Sequence, residues 1–274
     1  MRYYIDNMDK NDALKTKKLF FQLKEMQTAL TITQKDIAAT ILFENAVNSS
    51  VMAYNFIDPA FIRAALYRGN SRVKKHISPI YQKVSLEAIG LYKILKHLEQ
   101  AAPKRNDLSV SLILKMHKYL FESSWPDIAG HFRNIDVRIR GLKHRPPHYS
   151  QISSLLYQHL GWVDGLMKLL GPVSESNFFE VFHVAADIHC RIIETYPFQS
   201  GNWRLARALN NYVLQNSGMF AIIFDTDKQS DYMNAVNESS LTELTPLVNY
   251  LTDAYGETLI KVYNFLVLIQ KETE

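Results

Sequence analysis

The run Thr195–Asn211, TYPFQSGNWRLARALNN, sets a proline, a glycine and two arginines three apart at the mouth of a helix. Gly201 allows a tight turn, and Leu205, Leu209, Tyr212 and Val213 then recur at helical spacing until Gly218 ends the helix. On that helix Arg204, Arg207 and Asn211 fall at i, i+3 and i+7 and share one face, opposite much of the leucine stripe. The unpaired N–H groups of a helix opening already favour anions, so two guanidinium groups above them suit a phosphate. Salt bridges to acidic neighbours are the competing use of such a pair, and spacing alone leaves both open.

The rest of the chain bounds what this run belongs to. Its 274 residues, 47% of them hydrophobic, are enough for one large domain or a core with a small appendage. Thirty-one Lys and Arg against 27 Asp and Glu give a formal charge of +4, which permits an anionic ligand but is far from a nucleic-acid-binding tail. No nucleic-acid partner is expected. Cys190 is the only cysteine, so an intrachain disulfide and a CxxC metal site are both excluded and a reducing, cytoplasmic setting is expected. Secretion into a host without a cleaved signal would leave little compositional trace. No apolar run is long enough to span a bilayer, and no membrane association is expected.

Ten glycines and nine prolines, clustered rather than evenly spaced, predict a mainly α protein. Thr33 with Asp36 reads as a capping box ahead of Ile37, Ile41 and Ala46, and Asn177 with Glu180 as another ahead of Val181, Ala185, Ile188 and Ile192. A further helix is predicted from Pro246 through Leu259, Val262, Leu266 and Ile269, interrupted near Gly256. Between Pro126 and Ser150 the helical pattern breaks; NIDVRIRG alternates as a short strand or hairpin does, and RPP forces an extended exit. The expected organisation is an arm over residues 1–30, helices over 31–104, and a core over 105–274.

These residues carry a resemblance to the Fic (Fido) family, whose motif runs His-Pro-Phe-x-Asp/Glu-Gly-Asn-Gly-Arg-x-x-Arg. The corresponding run here is Tyr196, Pro197, Phe198, Gln199, Ser200, Gly201, Asn202, Trp203 and Arg204, closed by Arg207. ADIHCRIIETYPF resembles the helix entering the family's loop, and AGHFRNIDVRIRGLKHRPPHYSQISSLL resembles its Gly-Phe-Arg turn, flap hairpin and proline-rich exit. DYMNAVNESSLTELTPLVNYL resembles its C-terminal helices, so the likeness spans roughly residues 105–255, and Asn211 falls where the family places an Asn. The resemblance implies a Fic-like helical bundle with a short β-hairpin flap. It also implies AMP transfer from ATP to protein hydroxyls, with the His as general base, the carboxylate holding Mg²⁺, and the glycine turn and arginines holding phosphates. On that likeness Gly201, Asn202, Trp203, Arg204 and Arg207 are the nucleotide-binding positions, and ATP or another nucleotide is the expected ligand. A protein target or partner near residues 134–148 and a homodimer are implied as well.

Four departures bear on that activity. Tyr196 stands at the base position, and a phenol with an ordinary pKa near 10 is a poor base at neutral pH. Ser200 stands at the metal position, where a neutral hydroxyl is a weak anchor, so no metal ligand and no firmly bound Mg²⁺ are expected. Trp203 replaces the second glycine of the nest, filling space that glycine leaves open or packing under the flap. ENAVNSSVMAYNF resembles the family's inhibitory-helix motif; with Ser50 at its Ser, Tyr54 takes the Glu position and Asn55 the last, and Tyr54 can hydrogen-bond Arg207 without neutralising it. The expectation is a Fic-fold protein that keeps phosphate binding and transfers AMP weakly or not at all. Two alternatives stand beside it: a divergent nucleotidyl- or phospho-group transferase, or self-modifying enzyme, and a helical protein-interaction regulator with no ligand.

Other candidates have plainer readings. His183 and Asp187 share a helical face and His189 lies six residues after His183, but a convergent set of three or four metal ligands is not apparent, so they read as packing or hydrogen bonding; His144 and His148 flank two prolines in the flap. Arg72–His76, RVKKH, reads as a solvated face, and Cys190 as buried and inert.

Overall fold

The computed structural model of the chain describes residues 10–29, 34–69, 78–102 and 107–273. Thr33 and the basic run Arg72–His76 lie outside the described residues. Ten α-helices are seen among the described ones: α1 Lys10–Ala29, α2 Gln34–Ala53, α3 Pro59–Arg68, α4 Pro79–Ala101, α5 Val110–Phe121, α6 Ile152–Leu170, α7 Phe178–Thr195, α8 Asn202–Asn216, α9 Gln229–Glu238 and α10 Thr245–Thr273.

α8 forms the axis. Its apolar Leu205, Ala206, Leu209, Tyr212, Val213 and Leu214 are buried, but so are Arg204, Arg207, Asn210 and Asn211. Both the arginine-bearing face and the leucine stripe are therefore enclosed, by α7 most extensively and by α4, α2 and α5. α4 and α5 cross closely because Gly90 has no side chain; a Cβ there would lie 2.4 Å from the Tyr119 carbonyl oxygen. Asp58 caps α3 through the Ala60 N–H, and Ser109 caps α5 through the Leu112 N–H.

Three expectations change. Residues 10–29 are not a loose arm: α1 packs against α10, and Phe20 is buried among Phe178, Phe220 and Tyr255. Gly256 does not interrupt α10, which continues to Thr273; its missing side chain makes room for Thr16 of α1, whose Oγ1 would be 2.7 Å from a Cβ. Asn177 precedes α7 as expected but forms no capping box, because its side chain instead ties the Ser174 N–H and the carbonyls of Leu170 and Pro172.

No β-strand occurs among the described residues, so the expected hairpin over residues 134–148 is corrected to an irregular loop. Its alternation is real in sequence, but Ile135, Asp136, Arg138 and Arg140 are exposed and no third strand is present to stabilise a two-stranded ribbon. The buried run Met219–Phe224 is likewise extended without a ladder. Side chains take the place of a partner strand: Asn211 bonds both the N–H and the carbonyl of Ile222, Thr258 takes the Ile223 N–H, and Tyr255 the Phe220 N–H.

Candidate functional site

The turn between α7 and α8 is built by three local devices. Tyr196 closes α7 in the left-handed region, with φ +44°, the only non-glycine residue among those described with positive φ. Its carbonyl accepts the Arg133 Nε–H at 2.8 Å, and the same buried guanidinium donates to the carbonyls of Ile135 and Pro147, tying the irregular loop to the turn. Asn202 then clasps the loop from inside: its Oδ1 accepts the Phe198 N–H at 3.0 Å and its Nδ2 donates to the Phe198 carbonyl at 2.8 Å. Gly201, at φ +83°, lies so close to Phe121 and Leu120 that a Cβ would fall within 2.9 Å of both.

Beneath the turn, Phe198 stacks on His117 at 3.9 Å with an interplanar angle of 6°. His117 Nδ1 accepts the Gly130 N–H, which leaves Nε2 as the donor to the Ser200 carbonyl. Burial lowers its pKa to about 4, so the ring is neutral at pH 7 and acts as a fixed hydrogen-bonding wedge.

Above the turn a cleft of 370 Å³ opens between the end of α2 and the start of α8, lined by Tyr54, Tyr196, Ser200, Gly201, Trp203, Arg204, Arg207 and Tyr232 among others. The structure thus brings together most of the residues singled out from the sequence. Trp203 is half-buried and meets Tyr232 edge-on at 5.8 Å, forming part of the wall. The Tyr196 phenol is pushed above its ordinary pKa by burial, so less of it is ionised than the unperturbed value implies.

Both arginines are buried, with different partners. Arg204 Nη1 donates to Glu87 Oε2 at 2.6 Å, and the Tyr54 hydroxyl donates to the same oxygen at 2.8 Å. Burial and the Glu87 charge hold the Tyr54 phenol well above its ordinary pKa. Arg207 donates through Nε and Nη2 to Ser49 Oγ at 2.9 and 2.6 Å, through Nη2 to the Ser49 carbonyl, and through Nη1 to the Tyr232 hydroxyl at 3.5 Å. The Tyr232 hydroxyl in turn meets His189 Nε2 at 2.9 Å, and burial with the nearby Arg207 charge depresses the His189 pKa to about 3.

The expected pairing of Tyr54 with Arg207 is therefore corrected: Tyr54 serves the Arg204–Glu87 pair, and Ser49, one residue before Ser50, meets Arg207. The Ser50 hydroxyl is buried without a hydrogen-bond partner, and Asn55 is exposed in the turn after α2. Asn211 bonds Ile222 and is not among the residues lining the cleft. Asp187 is occupied by Arg191 at 2.9 Å, Cys190 is buried, and His144 meets the Ile193 carbonyl. Glu87, Ser49 and His117 escaped the sequence reading. Glu87 had a signal: in VSLEAIGL it falls three residues after Val84 on the apolar face of α4, where an unpaired carboxylate is not tolerated.

Residues 107–214 match the model of the Fic/DOC family. The chain is 27% identical over 178 residues to the protein adenylyltransferase Fic of Culex quinquefasciatus, and 23% identical over 173 residues to that of Drosophila grimshawi. Each match covers 63% of this chain, which spans about a third of the length of these relatives, 33% and 34% respectively. In fold it is similar to a Fic-domain-containing signalling protein of Bacteroides thetaiotaomicron, with a TM-score of 0.72, 19% identity, and coverage of 89% of this chain and 95% of that one. It is also similar to residues 134–508 of Fic-1 from C. elegans, with a TM-score of 0.69, 20% identity, and coverage of 95% and 74%.

Proposed function

Since the chain carries a Fic/DOC-family domain over residues 107–214, we propose that it works by binding a phosphate-bearing ligand in the cleft above Gly201, with AMP transfer weak or absent. One observation carries this reading: the cleft keeps two guanidinium groups on its wall but presents a phenol of raised pKa at Tyr196, where a transferase would need a base. The donor chemistry agrees. No carboxylate stands among the residues lining the cleft, Ser200 is a neutral hydroxyl, and Glu87 is committed to Arg204, so the residues present do not fit a firmly held magnesium ion.

Intact-mass spectrometry after incubation with ATP and a bystander protein tests it. No adduct is expected on either protein, whereas the double substitution Tyr196→His with Ser200→Asp is expected to raise transfer by at least roughly a hundredfold, the worth of a placed general base. Robust transfer by the unaltered chain would overturn the proposal. The Arg204–Glu87 pair favours a second reading, a helical regulator in which the arginines are structural. Calorimetry separates the two, because that regulator would give no heat with any phosphate-bearing ligand.

A further inference from the structure

The charges around the cleft narrow its ligand further, an inference that rests on the binding reading above. Arg204 is neutralised in place: Glu87, fully buried, holds it at 2.6 Å. The other cation on Glu87, Lys83, is 3.9 Å away, partly exposed, and sits over the Trp125 ring, outside the cleft lining. Arg207 differs. It is 4% exposed, lines the cleft, and has only neutral partners, Ser49 and Tyr232, with no carboxylate within salt-bridge distance among the described residues. A buried cation with no counter-charge favours an anion arriving from the cleft.

The rest of the lining states what that anion is attached to. Tyr54, Tyr196, Trp203 and Tyr232, with Met52 and Met233, contribute aromatic and apolar surface to a lining that Gln199, Ser200 and Gln229 also make polar. The space of 370 Å³ falls in the range of small-molecule sites. One uncompensated guanidinium matches one phosphate group, which carries about 1.5 to 2 negative charges at neutral pH. A triphosphate would bring several further charges into a cleft without a second free cation or a carboxylate to anchor magnesium. We propose that the cleft selects a nucleoside monophosphate, a single phosphate on a planar apolar body, over a magnesium-bound triphosphate.

Isothermal calorimetry on the full chain tests this with AMP, ATP with and without Mg²⁺, adenosine and inorganic phosphate as probes. AMP is expected to bind at least roughly tenfold more tightly than ATP, with no gain from Mg²⁺ and with adenosine and phosphate each weaker than AMP. Arg207→Gln is expected to weaken AMP roughly 10- to 100-fold, the worth of a charge-assisted hydrogen bond. Glu87→Gln frees the Arg204 charge and is expected to tighten ATP relative to AMP. Should either variant fail to fold, the ranking of probes on the unaltered chain decides alone. Tighter binding of magnesium ATP than AMP overturns this inference and leaves the binding reading standing; adenosine equal to AMP also overturns it. No heat from any probe sinks both.

Discussion

Glu87 shows how much one residue decides here. Its carboxylate is fully buried and takes a guanidinium and a phenol hydroxyl on one oxygen, so removing it strands the Arg204 charge among apolar neighbours. Breaking a buried pair from one side costs about 3–5 kcal/mol, and Glu87→Ala is expected to lower the urea midpoint accordingly. The histidines set a pH dependence of definite sign. His117 and His189 are held neutral, with pKa values of about 4 and about 3 against an ordinary value of 6.5. Below pH 6.5 the unfolded chain therefore binds more protons than the folded one, and stability falls as pH drops through that value toward the folded pKa values. The loss totals on the order of a few kcal/mol. Urea titrations between pH 7 and 4 measure it, and His117→Gln is expected to flatten the slope.

At the scale of elements, close crossings decide geometry. α4 and α5 approach at Gly90 so tightly that a methyl group would press on the backbone of Tyr119, which cannot move as a flexible side chain could. Gly90→Ala is expected to destabilise by about 1–3 kcal/mol or more, read by thermal melting, although alanine is the better helix former. Gly201→Ala carries two penalties, positive φ and a clash with Phe121, and because the same turn forms the floor of the cleft it is expected to weaken AMP binding as well as stability. Four helices, α2, α7, α8 and α10, were legible from their apolar spacing, α8 nearly to the residue, whereas α1 read as an arm. The hairpin was not, because period-two alternation states a strand's preference but cannot supply the neighbours that stabilise it.

Over the whole molecule, the first and last helices close on one another. Phe20 of α1 is buried against Phe178 of α7 and Tyr255 of α10, so its ring joins segments more than 150 residues apart in the chain. Phe20→Ala is expected to cost about 3–5 kcal/mol by urea unfolding and to raise amide exchange along α1 and α10 together. The turn, the cleft and both buried arginines lie at the N-terminal end of α8, where α4 and α2 from the N-terminal half supply the arginines' partners. The stretch that matches the Fic/DOC family model, residues 107–214, thus draws both arginine partners, Ser49 and Glu87, from outside its own span.

By itself the sequence determined the helical class, the turn at Gly201 and the side-chain chemistry of Tyr196, Ser200 and Trp203 around it, because each is a local matter of spacing, backbone freedom or residue type. Which arginine keeps an unbalanced charge was decided only by tertiary structure. Arg204 and Arg207 are equivalent in any local reading, three residues apart on one helix, and differ because α4 delivers a carboxylate 117 positions away to one while α2 offers the other a hydroxyl. Electrostatic balance depends on distance in space, and sequence separation carries almost no information about that distance.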